Sequence, residues 1–219
     1  MRIFSANWGT GAGRGYPFNS LGEVISVYDS KEFEKHSPAK GDVLIIWGGA
    51  DIHPSLYNRP NVASHVGIKP SVRDIVEVGL MEKAVDIGIM TLGVCRGAQL
   101  ACALAGGVLA QDVDAHGWNH DITLTATGEK IETSSVHHQM MVPVAVPHEL
   151  IAISTAKMSA HYAGLNEAEQ AYVDKFGEPE IVYFPKQKFL AVQGHPEFMD
   201  EDCKFNVLMR EYVNNYRTM

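Results

Sequence analysis

The sequence predicts an α/β protein built on a central, mostly parallel sheet flanked by helices, with an added β-hairpin region. Three observations carry this. Apolar runs of strand type alternate with helical segments through the first half of the chain. Asp42-Val43-Leu44-Ile45-Ile46-Trp47 is apolar without a break after its first residue, the mark of a parallel strand covered on both faces. The run Ile89-Met90-Thr91-Leu92 breaks at Gly93 and continues as an Ala/Leu-rich segment, which reads as a strand turning into a buried helix.

In order, residues 2–6 read as the first strand and carry no signal-peptide core. Asn7 to Pro17 follows, with glycine at every second position from Gly9 to Gly15. That spacing fits neither a dinucleotide fingerprint nor a P-loop. It reads as a flexible loop at a strand end, with a mobile substrate-covering loop as the alternative. Val24–Tyr28 reads as the second strand, and the polar stretch Lys31–Lys40 ends in a turn at Pro38 and Gly41. Ser71 is placed to cap a helix from Val72 to Asp86, with Asp74 at the capping-box position. Asp121–Ala126 and Lys130–Ser134 form a predicted hairpin around Gly128. Ile151–Ala156, Ile181–Phe184 and Leu190–Gln193 read as short strands, and Asp200–Tyr216 as an amphipathic helix. The polar region from Ala160 to Glu180, helical at Glu167–Tyr172, reads as an insertion that meets a partner. No repeat or linker interrupts the chain, so residues 1–219 are expected to form a single domain.

The totals narrow the function classes. The chain has 219 residues, of which 46% are hydrophobic, enough for one domain with its own core. No apolar run approaches the roughly 20 residues that a membrane helix needs. A net charge of -8 argues against a nucleic-acid-binding surface. Cys95, Cys102 and Cys203 lack zinc-ribbon spacing and point to free thiols in a reducing, cytoplasmic setting. His116 with His120, and His137 with His138, suggest metal ligation, but no neighbouring cysteine or carboxylate completes a tetrahedral set. The expectation is no metal and no cofactor.

Cys95 stands between Gly93 and Gly97, the G-x-nucleophile-x-G spacing of a strand-turn-helix elbow. The start of a helix also favours a thiolate. Such a nucleophile needs a base and the base an orienting group. His195 follows a strand directly, and Glu197 lies two residues on across Pro196, so both point to one side of an extended segment. Taken singly, these residues also fit a small buried cysteine between packing glycines and an ordinary surface turn.

Gly93-Val94-Cys95-Arg96-Gly97-Ala98-Gln99, Gly48-Gly49-Ala50-Asp51-Ile52-His53-Pro54 and Gly194-His195-Pro196-Glu197 together resemble a class I glutamine amidotransferase domain. They are most similar to its gamma-glutamyl hydrolase-like branch. Arg73, Asp74 and Glu77 before the elbow fit the same pattern. The resemblance implies the flavodoxin-like fold of that superfamily and a Cys95-His195-Glu197 triad that hydrolyses a gamma-glutamyl amide through a thioester. It implies an oxyanion hole from the backbone N–H groups of Gly49 and Arg96. It implies a substrate pocket at Gln99 and at the Ser135, His137, His138 and Gln139 segment. The implied substrate is glutamine or another gamma-glutamyl small molecule. With glutamine, the ammonia goes to a separate synthetase subunit, since no synthetase segment lies in these residues. With a gamma-glutamyl conjugate, the product is simply released. The rival from another class is a non-catalytic binding or regulatory member of the fold; a flavodoxin-like nucleotide module fails on glycine spacing.

Overall fold

Short apolar segments and well-capped helices assemble into one nine-stranded sheet. The structure is a computed structural model describing residues 1–219. In chain order the elements are β1 (Arg2–Ala6), β2 (Glu23–Val27), α1 (Ser30–Lys35), β3 (Val43–Ile46), α2 (Val72–Ile87), β4 (Met90–Val94), α3 (Arg96–Ala105), β5 (Val108–Ala110), β6 (Asp112–Val113), β7 (His120–Leu124), β8 (Lys130–Thr133), β9 (Met140–Val142), β10 (Glu149–Ser154), β11 (Tyr162–Ala163), α4 (Glu167–Phe176), β12 (Pro179–Phe184), β13 (Phe189–Val192) and α5 (Lys204–Tyr216). The sheet runs β2-β1-β3-β4-β13-β12-β10-β7-β8. The first five strands are parallel. The remaining four each lie antiparallel to the strand before them, and β7 and β8 form the expected hairpin.

The unbroken apolar run in β3 has a simple cause. Leu44 and Ile46 pack into the core on one face, with Leu80, Met81 and Ala84 of α2 and Leu100 and Ala101 of α3. Val43 and Ile45 pack into the core on the other, with Phe205, Met209 and Val213 of α5. Both faces are covered, so no position in the strand is free to be polar. Helix α2 begins as expected: Ser71 accepts from the Asp74 N–H, Asp74 accepts from the Ser71 N–H, and Gly88 closes the end with φ +82°.

Four features depart from the sequence expectation. Ser30–Lys35 forms α1, capped by Asp29; it buries Phe33 alone, so its sequence shows no apolar period. The glycine run after β1 is packed rather than loose. A Cβ on Gly11 would lie 2.4 Å from the Trp47 ring, and one on Gly9 would lie 2.1 Å from the Gly48 carbonyl oxygen. The C-terminal helix starts at Lys204, because the Asn206 side chain donates to the carbonyls of Pro196, Met199 and Asp200 and holds the preceding residues in a turn. The β5–β9 and β6–β11 pairs, of two or three residues each, are too short to leave a period in the sequence. In the 160–180 region, α4 is capped by an Asn166–Glu169 box and packs Tyr172 and Val173 against Met140 and Val142. No helix is long and apolar enough to cross a membrane.

Candidate active site

The carboxyl ends of β3, β4 and β13 lie side by side, and each carries one part of the predicted site. Cys95 follows β4 with φ +49° and ψ −104°, a conformation that a non-glycine residue adopts at a cost of about 1–3 kcal/mol. The Cys95 N–H donates to the Val192 carbonyl at 2.7 Å, which pins the turn to β13. The glycines around it are required by close approach. A Cβ on Gly93 would meet the Gly97 carbonyl oxygen at 2.3 Å, and one on Gly97 would meet that of Ile46 at 2.1 Å. Gly48, at the end of β3, lies under the histidine: a Cβ there would sit 2.4 Å from His195 Cε1.

His195 is buried, with its Nδ1 2.8 Å from Glu197 Oε1. Its Nε2 is buried and has no hydrogen-bond partner. Burial opposes charge on this ring, but Cys95 and Glu197 outweigh it and raise the imidazole to a pKa of about 10. The ring stacks on Phe198, with centroids 4.5 Å apart. Two positioning residues escaped the sequence reading. The Thr10 hydroxyl donates to Glu197 Oε1 at 2.5 Å; it is the one hydroxyl in the Gly9–Gly15 run, which was the available signal. The Ser134 hydroxyl donates to the His195 carbonyl at 2.7 Å and accepts from the His195 N–H at 3.0 Å, and nothing in the sequence marks it.

Gly49 has φ +141°, and its N–H donates to no group of the chain. Arg96 occupies the first position of α3, where the backbone N–H has no intrahelical partner. The Arg96 side chain is fully buried and ion-paired to Asp74 and Glu77 of α2. Glu77 also pairs with Arg73 Nε at 2.9 Å, and Arg73 Nη2 donates to the carbonyls of Trp47 and Gly48 at 2.7 and 3.1 Å. This charged cluster joins the elbow to the glycine turn after β3. Beside it lies a cavity of about 310 Å³ lined by Trp8, Asp51, Lys69, Arg73 and Arg96 among others.

The predicted pocket residues divide. Gln99 Nε2, His137 Nδ1 and Gln193 Nε2 converge on the Gln139 carbonyl, at 3.0, 2.9 and 3.4 Å. Gln139 Oε1, Gln193 Oε1 and His137 Nε2 are buried without partners. Burial, and then the neighbouring His116, hold His137 well below the ordinary imidazole range. Ser135 is committed elsewhere, donating to the His116 carbonyl at 2.5 Å. His138 lies between Asp51 and Asp112, at 2.9 and 3.1 Å. One sequence inference needs correction for both histidine pairs. His116 and His120 have carboxylate neighbours, because β12 and the residue before it bring Glu180 and Glu178 against them from some 60 residues away, and His138 has Asp51 and Asp112.

A wound, mostly parallel sheet with a strand-turn-helix elbow at one strand end and a His-Glu pair at the next defines the class of α/β fold to which this chain conforms. Residues 21–197 match the Peptidase C26 family. The chain belongs to that family, within the class I glutamine amidotransferase-like superfamily. It is 27% identical over 216 residues to a glutamine amidotransferase-like protein, YvdE, of Lactococcus lactis, across 90% of this chain and 84% of that protein. Its fold is similar to that of PurLQS from Thermotoga maritima, with a TM-score of 0.62, 14% identity and 98% of each chain covered. It also resembles the glutaminase domain of Trypanosoma brucei CTPS with bound acivicin, with a TM-score of 0.58 and 14% identity over 98% of this chain and 94% of that one.

Proposed function

We propose that this protein hydrolyses a gamma-glutamyl amide by cysteine catalysis, with glutamine as the donor and the ammonia passing to a separate acceptor enzyme. The observation that carries the reading is the strained Cys95 beside a buried His195, whose Nδ1 is held by Glu197 and whose Nε2 is free. In this reading the Cys95 thiolate attacks the amide carbon. The oxyanion that forms is held by the N–H groups of Arg96 and Gly49, each such donor being worth about 100- to 1000-fold in rate. Collapse breaks the C–N bond, and His195 gives its Nε2 proton to the leaving nitrogen. Water then attacks the thioester, His195 takes a proton from it, and Cys95 is released. Glu197 orients the ring throughout. The unpartnered Gln139 and Gln193 side-chain oxygens suit the ammonium group of a glutamyl substrate.

The glutaminase label of a structural neighbour supports glutamine as donor. A second reading, release of glutamate from a larger gamma-glutamyl conjugate, is favoured by the cavity beside the elbow. The test is turnover of glutamine and of gamma-glutamyl amines by the purified protein, together with labelling by acivicin, a probe suggested by that neighbour. Acivicin is expected to modify Cys95. Cys102 should stay unmodified, because complete burial pushes its thiol up to about 12. Loss of both turnover and labelling in Cys95→Ser is the expected result. Turnover of conjugates but not of glutamine would select the second reading. No Cys95 labelling and no turnover would leave a non-catalytic binding member of the fold.

A further inference from the structure

We infer that the chain carries a buried divalent-cation site of zinc type, formed by His116, His120 and Glu180 and oriented by Glu178. It is independent of the Cys95 chemistry and does not rest on it.

The case comes from counting protons. His120 Nδ1 lies 3.2 Å from the Trp118 carbonyl. A carbonyl only accepts, so Nδ1 carries the hydrogen and Nε2 presents a lone pair. That lone pair faces Glu180 Oε1 at 2.9 Å. His116 Nε2 lies 3.3 Å from Glu178 Oε2. Glu178 is already held by the N–H groups of Met158 and Ser159 and by the Tyr162 hydroxyl, at 2.6–2.8 Å. A carboxylate already holding three donors faces a ring N–H more favourably than a lone pair, so the favoured tautomer carries the hydrogen of His116 on Nε2. Its Nδ1 then presents a second lone pair, 3.5 Å from Glu180 Oε1. Two imidazole lone pairs and a carboxylate thus converge, with their ligand atoms all within 4.8 Å of one another. Neutral rings leave acceptors and no donor, in a place where His116 and Glu180 are each 1% exposed. Glu180 Oε2 and both His116 nitrogens have no hydrogen bond of good geometry. One shared proton can satisfy the His120–Glu180 contact but leaves His116 Nδ1 facing a carboxylate. A dication satisfies all three.

The dimensions agree. Tetrahedral zinc with bonds near 2.0–2.1 Å holds its ligand atoms about 3.3 Å apart; the two nitrogen–oxygen separations, 2.9 and 3.5 Å, bracket that, and the two ring nitrogens lie within 4.8 Å of each other. Two imidazoles and one carboxylate leave a fourth position for water. The Glu178–His116 contact supplies the carboxylate that fixes a ligating histidine's tautomer. The placement gives the ion a mechanical role. The His116 carbonyl accepts from Ser135 and from the His137 N–H, and the Glu180 carbonyl accepts from the Gln193 N–H. The ion would tie β12 and the loop before β7 to the segment bearing His137 and Gln139.

The test uses the full chain, stripped with a chelator and titrated with ZnCl2 by calorimetry and by competition with a chromogenic chelator. The expected result is one Zn2+ per chain and a raised melting temperature. His116→Ala and His120→Ala should weaken binding by more than about 100-fold, and Glu178→Gln by about 10- to 100-fold. His65→Ala should leave binding unchanged, since His65 belongs to a separate, more exposed group with Asp51 and His138. Co2+ added to the unmutated protein should give the visible bands of a four-coordinate nitrogen–oxygen site, a readout that needs no variant to fold. No uptake by the unmutated protein would show that the cluster holds protons alone and overturn the inference. Binding lost in His65→Ala but kept in His116→Ala would overturn it equally.

Discussion

His195 holds a proton against its own burial, and Glu197 is one of the two groups that let it. The sign follows from the raised value. The charged ring's contribution is complete below its ordinary value of 6.5 and is lost as pH rises through about 10. Glu197→Gln removes the negative partner but keeps the shape. The imidazole should then titrate lower, and the alkaline limb of kcat/KM should move to lower pH. The rate should fall by about 100-fold or more, the usual worth of a well-placed acid-base group. A pH profile with NMR titration of the His195 ring measures both; an unmoved alkaline limb would remove Glu197 from the orienting role. The elbow at Cys95 and the His195–Glu197 pair could each be picked out in the sequence because each signal is local: two glycines at fixed spacing, and two side chains flanking a proline. Thr10 and Ser134 could not, because each meets its partner only after the chain has closed across the sheet.

The elbow itself is set by backbone rather than side chains. A methyl group on Gly97 would lie 2.1 Å from the Ile46 carbonyl oxygen, and that oxygen belongs to a central strand that cannot yield. Gly97→Ala should therefore cost about 3 kcal/mol or more and abolish activity. Gly79 in α2 is the contrast. A Cβ there meets only the Ser30 hydroxyl, at 3.8 Å. Gly79→Ala should stabilise the protein by about 0.5–1 kcal/mol through helix propensity. Urea unfolding of the two variants separates the cases, and equal effects would contradict the packing argument. Elements with their own signals were readable: α2 from Ser71 and Asp74, β3 from its apolar run, the β7–β8 hairpin from Gly128. Helix α1 and the two- and three-residue strands were not, since one buried Phe33 or a pair of residues defines no period.

At the scale of the whole molecule, what the sequence withheld is adjacency. It showed that strands and helices alternate but not that β13 inserts beside β4, which is what sets His195 against Cys95. Nor did it show that β12 and the residue before it carry Glu180 and Glu178 to His116. The same long-range closure sets the molecule's response to acid. Asp42, at the start of β3, accepts from the Arg2 N–H at 2.9 Å, from Arg2 Nη2 at 2.5 Å and from the Ala39 N–H at 3.1 Å. It thereby ties β1 to β3 at the centre of the parallel half of the sheet. Burial opposes ionisation of Asp42, but these hydrogen bonds outweigh it and hold its carboxyl below the ordinary 3.8. The unfolded chain therefore binds a proton more readily than the native one at this residue. The stabilisation is complete above the ordinary value and is lost as pH falls through the lower native one. Asp42→Asn should lower the urea midpoint at neutral pH, and the gap to the unmutated protein should close as pH falls below 3.8. A gap that stays constant into acid would mean that the Asp42 contacts act through shape and not through charge, and that the closure of β1 onto β3 does not depend on its ionisation.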